Sequence, residues 1–236
     1  MPSPHPPSDV CHLTVHTEQE AAGHPVLAQV SVWMAATIAR PHPLLGRPGA
    51  MCPFVPLSLR LGLVRYAVSE PDACDALQVE RAAVALKRCW ETMPPLAGKH
   101  MADKAVVLVL PHASPATIVA VHDRLKPHYV GDGLMLGEFY PGHDGPGRHN
   151  PAFHPLHSPV PLLVARSMVT TDLPFLIEDR YSPARRAEFA DAFLRHQPAA
   201  PHDVREQARA VRERALALLS VSSPPRVPRS GPVAGR

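Results

Sequence analysis

The chain has 236 residues, of which 45% are apolar, 5% aromatic and 19% charged, and its formal net charge is +3. This length suits one large α/β domain, and the apolar fraction is that of an ordinary globular protein. The small net charge gives no reason to expect a nucleic acid as partner, and no run of about 18 apolar residues predicts a membrane span.

The cysteines and the N-terminal segment indicate a cytoplasmic protein with reduced thiols. The four cysteines form no C-x-x-C pair and stand at Cys11, Cys52, Cys74 and Cys89. The N-terminal segment lacks the apolar stretch of a secretion signal. We therefore expect no membrane partner, and composition leaves the oligomeric state open.

Periodicity and capping signals predict the secondary structure in chain order. Thr17 and Glu20 fit a capping box, the apolar run 104–110 fits a strand buried on both faces, and Ser114 fits a helix N-cap. The predicted elements are a disordered tail over 1–16, a kinked helix over 17–40, a proline-rich connector over 41–56, a strand over 59–69, a helix over 75–93, a strand over 104–110, a helix from 114 to about 125, strands over 134–139 and 161–165, helices over 182–196 and 202–220, and a disordered tail over 222–236.

This order of elements predicts an α/β or α+β fold. A single, mostly buried sheet of four or five strands would be flanked by helices within one globular domain over residues 17–221. A loop of about twenty residues, rich in Pro, Gly and His, separates the last two strands over 140–160. Loops of that length inside a compact domain are usually functional or disordered, so we expect a small-molecule site near it.

Cys52 is the first candidate site residue. It lies between the glycine turn Gly46–Gly49 and Pro53, where the backbone is restricted and a ligand can approach closely. Such a sulfur suits a metal or haem ligand or a reactive thiol, and Arg47 is a neighbour that would lower its pKa or bind a cofactor carboxylate. The alternative is an inert cysteine buried in a tight turn.

The long loop supplies the second set of candidates. Its histidines, which suit zinc, iron or haem, are His143, His149, His154 and His157. Their spacing matches no compact metal motif, and a merely polar loop explains them as well. His149 precedes Asn150-Pro151, a turn that would aim its ring as an acid/base group or toward a distal pocket, unless the ring is simply exposed.

The last two predicted strands carry three further candidates. Gly137 would let a flat ligand pack on the backbone, and Glu138 alternates with apolar neighbours, so that it faces either a catalytic pocket or solvent. Arg166 ends an apolar strand and would clamp a carboxylate or a haem propionate. An ion pair with Asp172 is the structural alternative for that arginine.

Four segments together carry a resemblance to a known family. They are G-R-P-G-x-x-C-P-F at residue 46, G-L-M-L-G-E-F-Y-P at 133, H-N-P at 149, and S-P-V-P-L-L-x-x-R-x-M-V at 158. Over about residues 44–176 the chain resembles small actinobacterial proteins that often occur beside natural-product genes. More distantly it is similar to the YqcI/YcgG family, some of whose members are haem-dependent oxygenases that hydroxylate nitrogen.

The resemblance implies a haem-dependent oxidoreductase of specialised metabolism that oxygenates a small substrate, with a redox partner. Cys52 would be the proximal haem ligand, and Arg166 and His149 would lie near the propionates or the distal face. Two other hypotheses stay open: a non-haem metal enzyme that uses the loop 143–157, and a non-catalytic accessory protein of a biosynthetic cluster.

Overall fold

The computed structural model of the protein describes residues 13–69 and 75–221. Those residues form two compact units, which join in sequence between Val169 and Thr170. The predicted tails, apart from residues 13–16, lie outside the described residues, as do Cys11 and Cys74. At the inner end of the first tail, His16 exchanges backbone hydrogen bonds of 2.7 and 2.9 Å with Tyr66. The single domain over 17–221 stays a prediction.

The first unit contains five α-helices and four β-strands among the described residues. The helices are α1 Glu18–Ala21, α2 Pro25–Trp33 (continued by the π-helical turn Met34–Ile38), α3 Val55–Arg60, α4 Ala76–Thr92 and α5 Pro115–Gly131. The strands are β1 Val64–Val68, β2 Ala105–Val109, β3 Leu134–Phe139 and β4 Leu162–Ser167. The second unit contains α6 Leu173–Leu176, α7 Pro183–His196 and α8 His202–Val221.

The four strands form one mixed sheet in the order β1-β2-β4-β3. β1 and β2 are parallel, as their connection through α4 requires, whereas β4 is antiparallel to both β2 and β3. The sequence-based prediction of an α/β fold with four or five strands is therefore confirmed. The strand β2 is buried at every position, which explains why it is a continuous apolar run in the sequence.

The two faces of the sheet pack against different helices. One face joins α4 and α5 in an apolar cluster around Leu86, Leu108 and Leu136. The opposite face packs against α1 and α2, and Val55 and Leu59 of α3 lie against this second cluster. Because side chains alternate between faces along a strand, register decides which site residues share a face.

One predicted strand is half wrong. The sequence pattern predicts an extended segment over residues 59–69, but the chain is helical over Val55–Arg60 and becomes a strand only at Val64. Leu59 packs against the core from the helix, together with Val55 one turn earlier, whereas Leu61 is the C-cap of the helix and is 40% exposed. Gly62, at a φ of 62°, makes the turn between helix and strand.

The helix α5 is longer than its sequence predicts. It continues to Gly131 although Pro127 lies inside it and removes one backbone hydrogen bond. Three buried side chains beyond or beside the proline hold the last turns against the sheet: Leu125, Tyr129 and Val130. Tertiary packing therefore outweighs the local cost of the proline.

Candidate functional site

Three ionisable side chains of the first unit meet in its interior at the end of β3. Glu138 is 8% exposed, His122 on α5 is 3% exposed, and His143 in the following loop is 7% exposed. Oε2 of Glu138 lies 3.4 Å from Nδ1 of His122, and Oε1 lies 4.0 Å from Nε2 of His143. Burying such groups is costly unless they share protons and hydrogen bonds, which makes the cluster a candidate site.

The tautomer of His122 follows from its backbone partner. Helix α5 packs along β3, so Nε2 of His122 comes within 3.0 Å of the carbonyl oxygen of Leu136. A carbonyl only accepts hydrogen bonds, so Nε2 carries a proton and donates it. The other ring nitrogen, Nδ1, is therefore the one that faces Glu138.

In His143 the two ring nitrogens have the same roles relative to the proton as in His122, but it is the protonated nitrogen, Nε2, that faces Glu138. Its Nδ1 accepts a hydrogen bond of 2.9 Å from the backbone N–H of Gly145, so Nε2 carries the proton of the neutral ring and faces Glu138. The ring stacks on Tyr140, with 4.3 Å between centroids. A Cβ at Gly145 would lie 2.6 Å from Cε1 of His143, so this close approach requires glycine.

The surroundings of the cluster also change the pKa of the Tyr140 hydroxyl. Burial, with the carboxylates of Glu138 and Asp144, raises the pKa of Tyr140. Its hydroxyl therefore stays protonated in the neutral range and remains a hydrogen-bond donor. Asp123, whose side chain is 57% exposed, places Oδ1 3.4 Å from Nδ1 of His122 and connects the cluster to solvent.

The loop over residues 140–160 has no helix or strand but is tied down at both ends. Nδ1 of His157 accepts from the backbone N–H of Gly142 at 3.0 Å, and Tyr140 and His157 form an isolated β-bridge. Ser158 donates from Oγ to the carbonyl oxygen of Val160. These bonds return the chain from the His143 side to the start of β4.

The same loop packs against the proline-rich connector before α3. Nδ2 of Asn150 donates to the carbonyl oxygen of Leu44 at 2.9 Å, and the rings of His42 and Phe153 stack with 4.4 Å between centroids. Gly46 has a φ of 74°, and a Cβ there would lie 2.9 Å from Cβ of His149. The segments that carry His149 and the glycine turn are therefore in contact.

Cys52 is a free, half-buried thiol in that connector. Its backbone N–H donates to the carbonyl oxygen of Ile38 at 3.0 Å, which fixes the turn. The guanidinium of Arg47 donates to the carbonyl oxygens of Pro48 and Met51 at 3.0 and 2.8 Å. Arg47 thus closes its own turn, and those two donors are engaged by the protein itself.

Register separates Arg166 from Glu138. Arg166 pairs with Met135, and Glu138 lies three residues further along β3, so the two side chains are on opposite faces of the sheet. Nη1 of Arg166 donates to the carbonyl oxygen of Ser167 at 2.9 Å. Cys52 precedes α3, which packs on the face that carries Arg166.

Gly137 also lies on the face that carries Arg166. A Cβ there would lie 3.2 Å from Cε2 of Phe139, so the ring of Phe139 occupies the space that a side chain at this position would take. The predicted site residues therefore divide between the two faces of the sheet.

The region just described lies within a known sequence family. A family described as "Domain of unknown function (DUF6875)" matches residues 27–206. The chain belongs to this family. No curated protein and no solved structure matches the chain. His122, Glu138, His143, Cys52 and Arg166 all fall inside the family match, so both faces of the sheet belong to the family domain.

The described residues contain no group of three His, Cys, Asp or Glu side chains placed to hold a metal ion. Two histidines of the long loop use one ring nitrogen to bind the backbone. Nδ1 of His143 and Nδ1 of His157 each accept a backbone N–H, which leaves the proton of the neutral ring on Nε2. Over residues 13–69 and 75–221, no helix is long and apolar enough to cross a bilayer.

Sequence reasoning missed His122 and Tyr140. His122 lies on the buried stripe of α5, between Ile118 and Leu125, at positions where helical periodicity predicts apolar side chains. A polar residue on an apolar stripe is the signal that could have found it. Tyr140 stands in the quoted strand motif, but its stacking on His143 depends on the path of the loop.

Proposed function

We propose that the protein is an enzyme that moves a proton to or from a small-molecule substrate at Glu138. The observation that carries this proposal is a carboxyl group, 8% exposed, between two buried imidazoles whose tautomers are set by backbone partners. Buried acid–base groups with fixed partners are typical of catalytic sites.

Each residue of the cluster has a distinct role in this proposal. Glu138 accepts or returns the substrate proton. His143 presents Nε2–H, which donates a hydrogen bond to negative charge that develops on the substrate. Tyr140 holds the ring of His143 by stacking and keeps its own hydroxyl proton because its pKa is raised.

Comparative substrate profiling tests the proposal although the substrate is unidentified. The wild-type protein and Glu138→Gln are incubated with a bacterial small-molecule extract, and consumed compounds are followed by mass spectrometry. We expect at least one compound to disappear with wild type and to persist with Glu138→Gln, with a rate loss of about 100-fold or more. Glu213→Gln, an exposed position on α8, is the matched control and should behave as wild type. Identical profiles for wild type and folded Glu138→Gln reject the proposal.

A second candidate is the haem-dependent oxygenation of a small substrate at nitrogen, in natural-product metabolism. The observation that favours it is a free, half-buried thiol at Cys52 in a segment on the Arg166 side of the sheet. The thiol of Cys52 suits the role of axial ligand to haem iron. The guanidinium of Arg47 already donates to the carbonyl oxygens of Pro48 and Met51, so it suits a cofactor carboxylate less well. A haem thiolate would supply electron density for O–O cleavage.

An absorbance spectrum tests this second candidate. Protein purified with added haem is expected to show a Soret band that Cys52→Ala removes and that Cys89→Ala, the control thiol on α4, leaves in place. No Soret band, or the same band in Cys52→Ala, rejects haem ligation by this thiol.

A further inference from the structure

We propose that His122 and Glu138 hold a single proton between Nδ1 and Oε2, so that His122 is a positioning residue that sets the protonation of Glu138. This inference deepens the proposed function and rests on it for the use of that proton. The contact itself stands on the geometry of α5 and β3.

The first step is that His122 cannot offer its other nitrogen to Glu138. Nε2 donates to the carbonyl oxygen of Leu136 at 3.0 Å in a ring that is 3% exposed. Turning the ring over would put a carbon against that carbonyl and leave a buried acceptor unpaired, which is unfavourable. The ring therefore keeps Nδ1 toward Glu138.

The second step concerns the atoms that face each other. In neutral His122 with this tautomer, Nδ1 carries a lone pair, and Oε2 of ionised Glu138 lies 3.4 Å away with lone pairs of its own. Nδ1 is buried without a hydrogen bond among the described residues. One proton, on either atom, replaces this repulsion by attraction, and a small approach of the two atoms then makes a charge-assisted or neutral hydrogen bond. The pair is then an imidazolium with a carboxylate, or an imidazole with a carboxylic acid, and its net charge is zero in both forms.

The third step is the charge that surrounds the pair. Within the described part of the chain, titratable groups near the pair include Asp123 at 3.4 Å from Nδ1, His143 at 4.0 Å from Oε1, and Tyr140 stacked on His143. On α5, Lys126 is buried one turn beyond His122, and the exposed Arg124 forms an ion pair with Glu80 of α4.

The proton balance during turnover follows from this arrangement. Glu138 takes a proton from the substrate, and the pair then holds two protons, one on Nδ1 and one on the carboxyl group. One of them leaves through the exposed carboxylate of Asp123 to water, or returns to the product. The pair thereby regains its single proton, and no oxidant or reductant is needed.

Nuclear magnetic resonance of the full chain, labelled at the histidine nitrogens and the glutamate carboxyl carbons, tests the inference without any substrate. At neutral pH we expect one proton on the pair: Nδ1 of His122 protonated, or the carboxyl group of Glu138 protonated, with Nε2 of His122 protonated throughout. In Glu138→Gln, the side-chain amide can donate to Nδ1, so we expect Nδ1 of His122 to carry no proton while Nε2 keeps its own. His128→Gln, an exposed position on the same helix, should leave the His122 signals unchanged.

The result that overturns the inference is an unprotonated Nδ1 beside an ionised Glu138 at neutral pH, or an Nε2 that carries no proton. This outcome is distinguishable from failure of the proposed function. A shared proton together with identical substrate profiles for wild type and Glu138→Gln would reject the enzyme and keep the pair. Substrate turnover that depends on Glu138, without a shared proton, would keep the proposed enzyme and reject the shared proton.

Discussion

Gly145 determines how His143 is held. A Cβ at this position would lie 2.6 Å from Cε1 of His143, which is closer than side chains approach one another. Gly145→Ala is therefore expected to push the ring away from Tyr140 and to break the hydrogen bond from the backbone N–H of residue 145 to Nδ1 of His143. We expect this to lower the free energy of unfolding by about 1–3 kcal/mol. Chemical denaturation and the nitrogen shifts of His143 measure both effects.

The control for this change is Gly131→Ala. Gly131 ends α5 and has nothing within 4 Å of its Cβ position, so alanine there should be neutral or slightly stabilising. Equal effects of the two alanines would show that the ring of His143 is not held as described.

Lys104 is a buried lysine that binds the C-terminal end of α4. It is 2% exposed and donates from Nζ to the carbonyl oxygens of Trp90 and Met93, at the C-terminal end of α4, while lying 4.1 Å from the centroid of the Trp90 ring. Burial lowers the pKa of Lys104. The ammonium nevertheless satisfies carbonyls that the helix end leaves open.

We expect Lys104→Met to destabilise the protein by about 2–4 kcal/mol, because two buried acceptors lose their donor. Urea denaturation measures the change, and Lys99→Met, at an exposed position five residues earlier, should shift the midpoint little. A Lys104→Met protein as stable as wild type would contradict this role.

At the scale of elements, Tyr129 joins α5 to α4. Its hydroxyl donates to the carbonyl oxygen of Ala83 at 2.6 Å, and burial raises the pKa of Tyr129 above its ordinary value of 10.0. Below pH 10.0 both folded and unfolded chains keep this proton. Above it the unfolded chain loses the proton first, so the stabilising contribution declines as pH rises toward the folded pKa.

Tyr129→Phe separates these effects. At neutral pH it should lower the free energy of unfolding by about 1 kcal/mol through loss of the hydrogen bond. Above about pH 10 the variant should lose stability with pH less steeply than wild type. Tyr66, whose pKa burial also raises, should account for part of the remaining decline. Parallel stability curves for variant and wild type would exclude Tyr129 as a source of alkaline unfolding.

Elements differ in how far their sequence determines them. The sequence predicts β3 and α7 within a residue because each carries its own periodicity and its own boundary signals, such as the Ser182 cap that accepts from the N–H of Arg185. It misses the helix α3 because six residues are too few to distinguish a helical pair from an alternating strand. It also misses the last turns of α5, because the contacts that offset Pro127 are tertiary.

At the scale of the molecule, the fold class follows from the order of buried and amphipathic segments, but the site does not. Glu138 is recognisable as a candidate, whereas His122 lies sixteen positions earlier, on another element, and meets it only through the packing of α5 on β3. Arg166 and Glu138 stand on adjacent strands, yet register places them on opposite faces. Distances across a sheet depend on the assembled core, which no local pattern encodes.

The bond between Asn150 and Leu44 spans 106 positions of the chain. Together with the close packing of His149 on Gly46, this bond joins the connector over residues 41–56 to the loop over residues 140–160, so that the two segments pack as one unit. Members of the family that differ in one segment are therefore expected to carry a matching change in the other. A chimaera that exchanges only one segment between two members would assemble poorly, whereas one that exchanges both should tolerate the swap.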